Sequence, residues 1–111
     1  MGISVNREEV GEALVLSVDG SVDIASSPEL RGALRVAVEA KHPRVVVDMG
    51  GVGFVDSSGL ATLIEALQGT KKNGGDLRLC CLSKSVMGVF QLANLDNIFA
   101  ISDTREEAIA G

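Results

Sequence analysis

Apolar residues alternate with polar ones at Leu14, Leu16 and Val18 within residues 13–19, which predicts a strand with one buried face. The preceding Ile3-Ser4-Val5-Asn6 is expected to pair with it as a hairpin across Glu8 to Glu12. Gly20 is expected to open a loop that runs to Ser26-Ser27-Pro28-Glu29. That cluster reads as a helix start, with a serine cap, a proline in the first turn and an early glutamate. Leu30, Ala33, Leu34, Ala37 and Val38 then recur at helical spacing, and the helix should stop near Lys41 because Pro43 disfavours helical geometry at His42. Val45-Val46-Val47, closing on Asp48, is an unalternating β-branched run that suits a central strand buried on both faces. Beyond Gly50, Gly51 and Gly53, the stripe Leu60, Leu63, Ile64, Leu67 marks a second helix, stopped by Asn73-Gly74-Gly75. Residues 77–82 return to strand with Leu77, Leu79 and Cys81 on one face. A third helix carries Val86, Val89, Phe90 and Ala93, followed by a short strand at residues 98–101 and a last helix from about Asp103. Alternating strands and helices from residue 44 onward call for parallel strands with helical crossovers in an α/β layer fold.

Composition narrows the functional classes. The 111 residues carry 15 acidic and 10 basic side chains, a formal charge of −5, with 46% hydrophobic and 23% charged residues. This is the profile of one ordinary globule, so a single domain over residues 1–111 is expected. An acidic chain without a basic stripe is not expected to bind nucleic acid or an anionic membrane surface. Aromatics amount to 3%, all phenylalanine, which removes stacking platforms and aromatic cages. The N-terminus lacks the features of a signal peptide, no apolar run is long enough to span a bilayer, and two unpaired thiols suit a reducing compartment; a cytoplasmic location is expected. Cys80 and Cys81 are adjacent, and as strand neighbours they would point to opposite faces, which makes neither a metal pair nor an ordinary disulfide. No metal site and no cofactor are expected.

Local chemistry stands out once, at Val55-Asp56-Ser57-Ser58-Gly59-Leu60. Asp56 occupies a cap position and two hydroxyls fall in the first helical turn. The plain reading is a helix cap with a glycine for close packing. The functional reading is a phosphorylatable serine, its phosphate held by free amides and the positive end of the helix dipole. A nucleophile elbow is incomplete, since Val55 replaces its first glycine and the sole histidine, His42, precedes the serine. Phosphate-loop motifs are absent. A receiver domain phosphorylated at Asp48 would want an acidic pair after the first parallel strand and a late lysine; only Asp19 and Asp23 offer the pair, and residues 98–101 hold no lysine. His42 beside Pro43 reads as a loop residue, and Lys71-Lys72 as a basic helix end.

Three stretches together resemble the STAS domain of bacterial anti-sigma factor antagonists. They are Gly20-Ser21-Val22-Asp23, then Val45-Val46-Val47-Asp48 with Gly53-Phe54-Val55-Asp56-Ser57-Ser58-Gly59-Leu60, and the tail from Gly74-Gly75-Asp76-Leu77 through Val86, Phe90, Leu95, Ile98 and Phe99. The resemblance implies a mixed, mostly parallel sheet of four to five strands with about four helices mainly on one side. It implies a non-enzymatic switch that binds an anti-sigma factor with serine kinase activity and so releases a sigma factor. Ser57 falls where the family is phosphorylated, a serine phosphatase would reset it, and Asp23, Asp56, Ser57, Ser58 and Gly59 fall on the partner-binding surface. The free chain is expected to be a monomer. Ser21 stands where relatives usually carry an acid, and Ala61 replaces a common glycine. A STAS module of another system, a stress-complex scaffold or lipid-transport component, is the alternative; an enzyme lacks a catalytic base or metal set.

Overall fold

The computed structural model describes residues 2–111 and contains five strands and four helices among them: β1 (Ser4–Val10), β2 (Ala13–Val22), α1 (Ser27–Glu39), β3 (Arg44–Val55), α2 (Ser57–Lys72), β4 (Asp76–Cys80), α3 (Lys84–Leu92), β5 (Ala100–Ser102) and α4 (Arg105–Ala110). The strands lie in one sheet in the order β1-β2-β3-β4-β5; β1 is antiparallel to β2, and every other pair is parallel. Successive right-handed crossovers that always step the same way leave their helices on one face. That is the arrangement found. Leu30, Leu34 and Ala37 of α1, Leu60, Leu63 and Leu67 of α2, and Val86 and Phe90 of α3 share one core with Leu14, Leu16, Val45, Val47, Leu77 and Leu79. Phe90 meets Phe99 edge to face at 5.7 Å, which seats the chain entering β5. Among the described residues, α4 is the one helix that covers the opposite face, over Val15, Val46 and Cys80. No helix among the described residues is long and apolar enough to cross a membrane.

Several elements depart from the expected boundaries, each for a physical reason. The hairpin is tighter than expected: β1 runs through Glu8 to Val10, leaving Gly11 and Glu12 as its turn. The start of β2 is buried on both faces, since α4 shields Val15 while Leu14 and Leu16 face the main core. Gly20 does not begin a loop. With φ of +115° it absorbs an irregularity in the pairing, and β2 stays in register with β3 until Val22 meets Val55. The same pairing carries β3 past Asp48 through its glycines, residues that weaken a strand when unsupported. In α3, Ala93 is the exposed C-cap rather than a core position. The last strand starts two residues later than expected, with Ile98 exposed and Phe99 buried.

The largest departure is at the cysteines. β4 ends at Cys80, and Cys81 turns out of it with φ of +66°. Cys81 therefore does not share a face with Leu77 and Leu79. It packs beside Cys80 under α4, and the two thiols do not point to opposite faces. Their sulfurs and a carboxylate oxygen of Asp48 lie within 4.8 Å of one another, so a cluster with ligand-type spacing exists where none was expected.

Candidate functional site

The parallel register of β2 and β3 builds the site. Val22 is opposite Val55, and the Asp56 amide donates to the Val22 carbonyl at 3.1 Å. The chain leaving each strand carries the next residue, Asp23 or Asp56, to the same carboxyl-terminal edge of the sheet. This edge is where parallel α/β sheets present their binding loops. Gly59 lets α2 sit close enough: a Cβ there would lie 2.7 Å from Val22 Cγ1 and 2.9 Å from Val55 Cγ1, both on buried, β-branched side chains.

Asp56 is in extended geometry and caps α2. Its Oδ1 accepts from the Ser58 amide at 2.9 Å, the Gly59 amide at 3.2 Å and Ser58 Oγ at 2.5 Å. The Ser58 hydroxyl, with the Gly59, Ser58 and Ile24 amides, holds the carboxyl below its ordinary value, outweighing the opposing effect of desolvation. The two serines are thereby made unequal. Ser58 Oγ is committed to Asp56, while Ser57, the first residue of α2, is exposed and its Oγ has no hydrogen-bond partner among the described residues. The helix start is also less vacant than expected for a phosphate, because Asp56 already occupies the Ser58 and Gly59 amides.

Asp23 turns into its own loop. Its Oδ1 accepts from the Ser26 amide at 3.0 Å and from Ser26 Oγ at 3.2 Å. Ser26 is buried and does not cap α1, although it stands at the cap position; its hydroxyl accepts from the Asp23 amide and is directed to the Ser21 carbonyl at 2.7 Å. Ser26 was therefore legible as a helix start but not as the hub of the loop. Two apolar residues on this edge were also missed as surface features. Ile24 is 79% exposed and Phe54 is 51% exposed, and periodicity does not distinguish such residues from core. Of the sequence-predicted set, Asp23, Asp56, Ser57, Ser58 and Gly59 all come to one edge, with Gly59 buried beneath it.

His42 lies before the amino end of β3, whereas Ser57 follows its carboxyl end, so the length of the strand separates the serine from the sole histidine. His42 Nε2 is 3.2 Å from Glu9 Oε1. Asp48 is not free for acylphosphate chemistry: its Oδ2 accepts from Arg105 Nε at 3.0 Å and Nη2 at 2.8 Å, and its Oδ1 from the Gly50 amide at 2.9 Å.

This sheet order, one-sided helix layer and capped D-S-S-G turn define a STAS fold, and the chain belongs to the STAS domain family, whose sequence model matches residues 4–108. It is 28% identical over 109 residues to the anti-sigma-B factor antagonist of Bacillus subtilis, spanning 98% of this chain and 99% of that one. It is 25% identical over 108 residues to the anti-sigma-B factor antagonist of Listeria monocytogenes, spanning 96% and 95%. Its structure superimposes on that of an anti-sigma factor antagonist from Mycobacterium paratuberculosis with a TM-score of 0.90, at 26% identity, over 97% of this chain and 92% of that one.

Proposed function

We propose that this protein is an anti-sigma factor antagonist controlled by phosphorylation at Ser57. The observation that carries this reading is the inequality of the two serines: one hydroxyl is exposed and uncommitted at the head of α2, the other is bound by the capping aspartate. Unphosphorylated, the edge formed by Asp23, Ile24, Phe54, Asp56, Ser57 and Ser58 binds an anti-sigma factor that is also a serine kinase, and a sigma factor is released. Phosphorylation adds about −1.5 to −2 charges beside Asp56 on a chain of formal charge −5. With the Ser58 and Gly59 amides taken by Asp56, the phosphate projects outward, and an acidic or closely packed partner surface meets repulsion and a desolvation penalty. A serine phosphatase restores the binding state. The protein acts as a substrate and ligand in this scheme, not as a catalyst, and it works in the cytoplasm as a single domain.

The test is affinity for the anti-sigma kinase across Ser57 variants, with circular dichroism to confirm folding. Ser57→Ala is expected to abolish phosphate incorporation and retain binding, since Asp56, not Ser57, caps the helix. Ser57→Asp is expected to weaken binding, though less than a phosphate, because it brings one charge instead of nearly two. Asp23→Ala is expected to weaken binding by loosening the Ser21–Ser26 loop. Equal binding by phosphorylated and unphosphorylated chains, or mass spectrometry placing the phosphate on Ser58, overturns the reading.

A further inference from the structure

The second cluster of chemistry lies on the other face of the sheet, under α4, and the switch does not use it. Cys80 ends β4 fully buried, and Cys81 and Asp48 beside it are partly open to solvent. The left-handed backbone at Cys81 is uncommon for a side chain with a Cβ, and its effect is to bring the second thiol beside the first. We propose that Cys80 Sγ, Cys81 Sγ and one carboxylate oxygen of Asp48 bind a single thiophilic divalent cation of the zinc class, with a fourth position open to solvent.

Three observations support this site independently of the phosphorylation reading. The first is spacing. Metal–sulfur bonds of about 2.3 Å at a tetrahedral angle place two sulfurs about 3.8 Å apart, so donors already within 4.8 Å need only a small contraction. The second is lone-pair accounting. A carboxylate offers about four acceptor positions, Arg105 and the Gly50 amide fill three, and the other partner of the carboxyl is the Cys81 thiol, whose proton a metal ion would replace. The third is charge. Two thiolates and one carboxylate carry three negative charges, and one divalent cation plus the Arg105 guanidinium carries three positive ones. The charged groups facing the site are Asp48 from β3 and Arg105 from α4, with Glu8 of β1 beyond Arg105 at 3.2 Å. Cysteine ligates metal as the thiolate. Binding then releases two protons: M²⁺ + 2 R–SH gives M(SR)₂ + 2 H⁺. The wall formed by Val15, Val46, Ala108 and Ile109 shields the sulfurs from water on one side.

The experiment titrates the reduced full chain with Cd²⁺, read by ultraviolet sulfur-to-metal charge transfer, and with Zn²⁺ in competition with a chromophoric chelator. The expected result is one ion per chain, a charge-transfer band and release of two protons. Cys81→Ser, at the partly exposed position, should remove most of the band. It should weaken Zn²⁺ by more than the 10–100-fold typical of losing an outer-sphere partner. Asp48→Asn, which keeps the shape and removes the charge, should weaken Zn²⁺ at least about tenfold while the band persists. Circular dichroism of each variant separates lost binding from lost folding, and Cys80→Ser provides a second thiol variant. Absence of the band in the unaltered chain, or undiminished affinity in folded Cys81→Ser, overturns the proposal.

Discussion

Asp48 and Asp56 lie along the same strand and its exit, and both carboxyls are held below their ordinary value, yet they do opposite work. Asp56 is bound by its own neighbours, Ser58 and Gly59, and organises a turn. Asp48 has one local donor, the Gly50 amide, and is otherwise bound by Arg105, which arrives from the far end of the chain and reaches Ser17 Oγ at 2.6 Å and Glu8 on the way. One carboxylate shapes a surface; the other joins α4 to three strands. The difference teaches that a depressed carboxyl does not by itself say what a residue does, since a local amide joined to an ion-pair clasp (Gly50 and Arg105 at Asp48) and a helix cap (Ser58 and Gly59 at Asp56) produce the same direction of shift.

The sharpest way to break the comparison is to remove each charge. Asp48→Asn should destabilise the fold by about 2 kcal/mol in urea denaturation, below the 3–5 kcal/mol of a fully buried pair because Arg105 keeps Ser17, Glu8 and some solvent. The same variant should alter the acid limb. Because the folded carboxyl titrates below 3.8, its contribution is complete above the unfolded value and disappears as pH falls through the folded one. Stability of the unaltered chain should therefore decline below about pH 4, and the decline should be shallower in Asp48→Asn, as read by thermal melts across pH. Asp56→Ala should destabilise less than Asp48→Asn yet cost more in affinity for the anti-sigma factor, measured by calorimetry. A variant that loses both equally would dissolve the distinction. The smallest effect belongs to Ser58→Ala. It removes the strongest bond to Asp56, so the Asp56 carboxyl should titrate closer to its ordinary value by NMR, with the fold retained.

Much of this was legible in the sequence because periodicity reports burial. The stripes Leu30-Leu34-Ala37 and Leu60-Leu63-Leu67 are core in the structure, and Val45-Val46-Val47 is buried on both faces as its β-branched run implied. The cap at Asp56 was legible too, since capping is a local property of residue type and position. The loop role of Ser26 was not, because its hydroxyl is spent on Asp23 and Ser21 rather than on the helix it precedes. Nor was the Asp48–Arg105 clasp, whose partners meet only after the sheet has assembled and α4 has crossed to its uncovered face. The turn at Cys81 was hidden for a related reason: nothing in an apolar run signals that one residue adopts the left-handed region.

The helix that covers Cys80 has only six residues, and so short a helix has little stability apart from what it docks against. Arg44 Nη1 holds the Ile109 carbonyl at 2.6 Å, Arg105 grips Asp48, and Ala108 is its buried anchor. A segment held by so few contacts is expected to open as a unit while the remaining sheet and its three helices stay folded. In a Cys81→Ser chain, under conditions where redocking outpaces labelling, the rate at which a thiol-reactive probe modifies Cys80 divided by its rate on an unprotected thiol is consequently the equilibrium constant for release of α4.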